Sequence, residues 1–97
     1  MPVLSPETVI VRNERLAWRV LEGEAVILFP EAGTLHRLNE TGTQTWERLD
    51  GRSLSTIAAE LATEYRVDVD QALRDLEDLV ASMLEADLVE ISEAAAS

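Results

Sequence analysis

The chain has 97 residues, 46% of them apolar, which suits one domain built round one hydrophobic core. Nineteen acids face eight bases, all arginine, and cysteine is absent. Disulfides, thiolate metal sites and cysteine nucleophiles are therefore excluded, and the cysteine-free composition fits the cytoplasm. The acids are unevenly placed. Residues 1–38 carry four arginines and five acids, whereas residues 39–97 carry four arginines and fourteen acids. The second half should repel nucleic acid and anionic membrane, and a basic or apolar partner fits it better. No apolar run approaches the roughly 20 residues of a membrane span, and the start lacks the basic patch of a secretory signal.

Residues 1–13 include "TVIVR", which reads as an N-terminal arm or an edge strand. Three strands follow. "ERLAWRVLEGEAVILFPEAGTLHRLN" divides at Glu22-Gly23 and at Pro30-Glu31-Ala32-Gly33, both good turn chemistry, leaving residues 16–21, 24–29 and 34–38. Their partial alternation suits a one-sided antiparallel sheet.

From Asn39 onward the pattern is helical. Asn39 or Thr41 can cap the first helix, Thr41 and Gln44 having capping-box spacing. Trp46 and Leu49 point to its core side, and Gly51 offers a left-handed stop. Ser53 caps a second helix that places Leu54, Ile57, Ala58, Leu61 and Tyr65 on one face. Asp68 caps a third, with Gln71 closing a box and Val67 positioned to staple onto Ala72; that helix runs to Ala86. Residues 92–97 read as a frayed tail. The predicted fold is α+β and winged-helix-like: a three-stranded antiparallel sheet followed by three helices.

Three segments carry a family resemblance: "LNETGTQTWERLDG", "SLSTIAAELATEY" and "VDVDQALRDLEDLVASMLEADLVE". The order and spacing of Leu38-Asn39, Thr41-Gly42, Trp46, Leu49-Asp50-Gly51, Ile57-Ala58, Asp75-Leu76 and Leu79-Val80 resemble the PqqD-like family, the recognition elements of ribosomally made, post-translationally modified peptides. The resemblance makes residues 14–91 a leader-binding domain. One position departs from the family pattern. Asp87 stands where the family usually ends its last helix with glycine, and aspartate tolerates the left-handed conformation less well. The resemblance implies a non-catalytic protein that binds a precursor leader peptide and delivers it to a maturation enzyme, a radical SAM enzyme, a cyclodehydratase or a leader peptidase. The leader would add as a strand beside the third strand and lie against the third helix.

The residues support the same site. Strand addition needs an unpaired edge and a neighbouring apolar trough. Thr34, Leu35, His36, Arg37 and Leu38 supply the edge. On the third helix, Ala72, Leu76, Leu79 and Met83 suffice for a core. Leu73, Val80 and Leu84 widen the apolar arc and are expected to line the trough, with Glu77 at its rim. The alternative is that the whole arc is the inner face of a helix buried on more than one side. His36, the single histidine, has no metal-ligand partner at a useful spacing, so a strand role is expected and no cofactor or metal is implied. Arg37 could fork onto a leader carboxylate or pair with the acidic half.

Two other readings remain. Three helices with a small sheet suit a winged-helix DNA-binding regulator, but seven acids between Asp68 and Asp87 argue against a recognition helix. A homodimerisation module could use the same strand edge, giving a monomer or a weak homodimer. Neither the client pathway nor the enzyme partner is legible in the sequence.

Overall fold

The computed structural model describes residues 4–92. Six strands and three helices follow in the order β1 (Val9–Arg12), β2 (Ala17–Leu21), β3 (Glu24–Phe29), β4 (Thr34–Arg37), α1 (Glu40–Glu47), β5 (Asp50–Ser53), α2 (Leu54–Tyr65), α3 (Val69–Glu85) and β6 (Val89–Ile91).

The expected meander is present as an antiparallel sheet in the order β2-β3-β4. Its first hairpin pairs Leu21 with Glu24, leaving Glu22 and Gly23 as a two-residue turn. Both have positive φ, 53° and 82°, the primed turn whose twist matches that of the strands it joins. The second turn closes with Gly33 N–H donating to the Phe29 carbonyl at 2.8 Å. Ala25 and Ile27 are fully buried on the inner face, where Trp18 meets Trp46 edge-to-face with centroids 5.8 Å apart.

A second sheet, order β5-β1-β6, differs from the expectation for the N-terminal segment. β1 is its central strand rather than an arm or an edge, and Ile10 is fully buried. The partners explain why: β5 is "DGRS" and β6 only "VEI", neither with an apolar alternation that announces a strand. Gly51 accordingly lies within β5 at φ 114° and does not terminate α1. The helix ends instead on Arg48, whose N–H reaches the Thr45 and Trp46 carbonyls.

Asn39, rather than Thr41, caps α1; its Oδ1 accepts from Gly42 N–H at 2.8 Å. Ser53 and Asp68 cap α2 and α3 as expected. The Gln71 side chain, however, donates to Asp75 at 2.8 Å, so no reciprocal capping box closes there. Asp87 does adopt the left-handed conformation, φ 60°, between α3 and β6. The single core joins Ile10, Ile27, Trp46, Leu49, Leu54, Ile57, Val80 and Met83 from both sheets and all three helices. Residues 1–3 and the expected tail beyond Ser92 lie outside the described residues.

Candidate functional site: a strand edge between two hollows

β4 has one hydrogen-bonded neighbour, β3, and no strand pairs with its other side among the described residues. Registry settles which main-chain groups face outward. Leu38 N–H donates to the Ala25 carbonyl at 2.9 Å, and the pairs continue Val26–Arg37, Ile27–His36, Leu28–Leu35 and Phe29–Thr34. Hydrogen-bonded pairs alternate in an antiparallel ladder, so Thr34, His36 and Leu38 turn inward to β3. Leu35 and Arg37 turn their N–H and C=O groups to the open edge.

The ladder is finished by a side chain. Beyond β4, Thr43 Oγ1 accepts from Ala25 N–H at 2.7 Å and donates to the Leu38 carbonyl at 3.4 Å. Thr43 is buried in α1, so this hydroxyl bridges the second half of the Ala25–Leu38 pair and ties the end of β4 to the first helix. Sequence patterning had no signal for it, because a threonine inside a capping segment is explained locally.

The side chains of β4 divide between two faces. His36 is half-buried and tilts against Phe29, ring centroids 5.1 Å apart. Leu38 packs on the core. Leu35, 66% exposed, and Arg37 lie on the outer face, and Arg37 reaches Glu24 on the neighbouring strand at 3.7 Å, not the acidic helices. Thr34 is exposed at the start of the strand.

Two hollows lie outside β4, and no β4 residue lines either. A small one of about 170 Å³ is lined chiefly by Thr41 and Thr45 of α1, Leu61 and Tyr65 of α2, and Ala72, Asp75, Leu76 and Leu79 of α3. Its walls are apolar except for Asp75 and the two threonines. Before Thr34, a wider groove of about 680 Å³ runs between the β3–β4 turn and the end of α3, with Leu16, Phe29, Pro30, Asp87 and Val89 among its walls.

The four residues expected on the α3 wall divide between the core and a half-buried flank of the helix. Val80 is fully buried in the core, and Leu73 and Leu84 are half-buried against it. Glu77 is half-buried, and none of the four lines the hollow. The apolar arc of α3 was wide enough to be divided in more than one way. The core takes Ala72, Leu76, Val80 and Met83 from its middle, and the hollow lies on the Leu79–Asp75 flank.

Among the described residues no three His, Cys, Asp or Glu side chains cluster to hold a metal ion, and no helix is long and apolar enough to cross a membrane.

The family whose sequence pattern is described as coenzyme PQQ synthesis protein D (PqqD) matches residues 24–89, well over half of the chain. The chain belongs to the PqqD family. No curated protein matches the sequence significantly. Solved structures agree with the family. TbiB1 in complex with the TbiA(beta) leader peptide is 26% identical, with a TM-score of 0.76 over 82% of this chain and 94% of that one. A lasso peptide synthetase B1 complexed with the leader peptide is 28% identical, TM-score 0.76, over 84% and 96% of the two chains. The PqqD truncation of Methylobacterium extorquens PqqCD, described as a functional and stand-alone recognition element for ribosomally synthesised and modified peptides, shares the fold at 22% identity, TM-score 0.75, over 91% and 95%. The family pattern begins at Glu24, so it covers β3, β4 and all three helices but leaves β2 and β1, the strand that the sequence left ambiguous, outside it.

Proposed function

We propose that this protein captures the leader of a ribosomally synthesised precursor peptide by strand addition to β4 and presents it, without catalysing a step itself, to a modifying enzyme in the cytoplasm. The observation that carries this reading is the open β4 edge, with the main-chain groups of Leu35 and Arg37 directed outward. An incoming strand gains main-chain hydrogen bonds at those two residues, and its own side chains, alternating in direction, supply specificity. A guest that runs along β4 and on past either end could seat an apolar side chain in the hollow beside the β3–β4 turn or in the one among the three helices. The Phe29–His36 pair and Leu38 line the inner side of that path. Leu73, Glu77 and Leu84, on the other flank of α3, would contact only a guest that continues past the helix. The family's similarity to two leader-bound structures supports the reading.

The partner enzyme belongs to the classes that modify or cleave precursors: radical SAM enzymes, cyclodehydratases or leader peptidases. The test is amide shift perturbation with the leader segment of a short precursor encoded beside this gene. Shifts should centre on residues 34–38 and on Leu76, Leu79 and Asp75. Shifts confined to Leu73, Glu77 and Leu84 would move the guest to the other flank of α3, and shifts confined to the first half of α2 would overturn the site. The same open edge favours one second reading, pairing of two copies through β4. Sedimentation with and without leader decides it, since a dimer through that edge must dissociate as leader binds.

A further inference from the structure

The β2-β3-β4 sheet has an inner face on the core and an outer face on which none of the three helices packs. The registers place two rows across the outer face: Ala17, Leu28 and Leu35 in one, Arg19, Val26 and Arg37 in the next. The first row is apolar and open, Leu28 being 36% and Leu35 66% exposed. Leu21, 46% exposed, continues the apolar surface beyond the second row. One-sided sheets ordinarily present polar residues to water, so exposed Leu28 and Leu35 side by side on this face, with Leu21 beyond the arginine row, call for a partner.

The charges say which kind. The chain carries a net −11, yet the cationic groups on this face outnumber the anionic. Arg19 makes no ion pair among the described residues, and Arg37 has only a long, exposed contact with Glu24 at 3.7 Å. The acids of the helical half are largely screened at physiological salt beyond about 8 Å. A second copy is a poor occupant, because two-fold pairing brings the same patch to both sides and offers its two arginines only Glu24 as a carboxylate on the paired rows. Two arginines on an acidic protein are too few for a membrane or nucleic acid surface.

We propose that the outer face of the β2-β3-β4 sheet is a docking surface for a second protein that presents an apolar patch flanked by carboxylates. The surface lies on the face of the sheet and shares Leu35 and Arg37 with the β4 edge, but it uses their side chains where a leader would use their main chain. Leu28 and Leu35 would pack on the partner's apolar centre, and Arg19 and Arg37 would meet its carboxylates at the rim, favouring fast, salt-sensitive association.

The test uses two designed helical hairpins with the same leucine stripe, one flanked by glutamates and one by lysines. A helix cannot extend a sheet, so neither probe reports on strand addition. Titrated into the full chain, the glutamate probe should shift the amides of Ala17, Arg19, Val26 and Leu28 and bind about tenfold or more tighter than the lysine probe. Arg19→Glu should remove that preference, and Leu28→Ser should weaken both probes; each side chain is exposed, and an unchanged melting temperature confirms the fold. Equal affinity for the two probes, or shifts that avoid these residues, would overturn the proposal. Two other occupants would replace the partner protein: a second copy, if sedimentation shows self-association lost in Leu28→Ser, and a lipid surface, if vesicles of anionic phospholipid bind more tightly than the glutamate probe.

Discussion

Thr43→Val is the sharpest probe of how β4 is held. The Thr43 side chain is 1% exposed, its Oγ1 lies 2.7 Å from Ala25 N, and the substitution keeps the shape while deleting that acceptor. A buried N–H left without a partner costs about 1–3 kcal/mol, and the extra methyl returns up to about 1 kcal/mol of apolar burial. A net loss of about 1–2 kcal/mol corresponds to a fall in melting temperature of roughly 4–16 °C for a domain of this size. Urea unfolding followed by Trp46 fluorescence measures the global term. Hydrogen exchange at Ala25 measures the local one, and Thr43→Ser, which keeps the hydroxyl, is the control. Ala25 should exchange slowly in the native protein and in Thr43→Ser and quickly in Thr43→Val. Equal protection in all three would refute the idea that this hydroxyl completes the β3–β4 ladder, whatever the melting temperatures show.

Leu35→Pro removes an outward N–H while leaving the β3-facing bonds intact, so stability should change little and leader affinity should fall about tenfold or more by calorimetry. Asp87→Gly relieves a left-handed residue at φ 60° and should stabilise by roughly 0.5–1 kcal/mol in urea unfolding. The Arg12 guanidinium lies 5.0 Å from the Trp18 ring centroid and donates to the Trp46 carbonyl at 2.8 Å, so Arg12→Lys should cost about 1–2 kcal/mol through lost planar stacking. Leader affinity for a basic leader should fall as salt rises from low to physiological strength, since the helical half holds most of the acids; a titration indifferent to salt would remove electrostatic steering.

The sequence made some parts of this molecule legible and hid others for identifiable reasons. The meander was readable because Gly23 and Gly33 tolerate the positive φ that their turns need, and the turns set the strand ends. Helix starts were readable at Ser53 and Asp68, where a polar cap precedes an apolar period. The second sheet was hidden because β5 owes its form to pairing with β1 and not to its own residues. Asp50-Gly51-Arg52 has no strand propensity to read. On α3, angle alone could not say which residues of a wide arc meet the core. Val80 lies only about 40° from Leu76 on an ideal helical wheel, and both are buried.

An edge that is open to a foreign strand also invites the wrong one, and the chain limits that risk by three physical means. β4 is four residues long, which restricts pairing to two outward-facing residues. Arg37 stands on that edge, so an antiparallel register that sets it opposite the Arg37 of a second copy is penalised by like charge. The net charge of −11 then repels copies from one another at long range while drawing a basic guest inward. Strand addition through so short an edge would supply few main-chain bonds, so under the proposed function the hollows would have to contribute the rest of the affinity. Filling the smaller one by Leu79→Trp should therefore weaken leader binding while leaving the β4 amides where they are. If affinity were unchanged, the hollow among Thr41, Leu61 and Ala72 would be irrelevant to capture and the main chain alone would hold the guest.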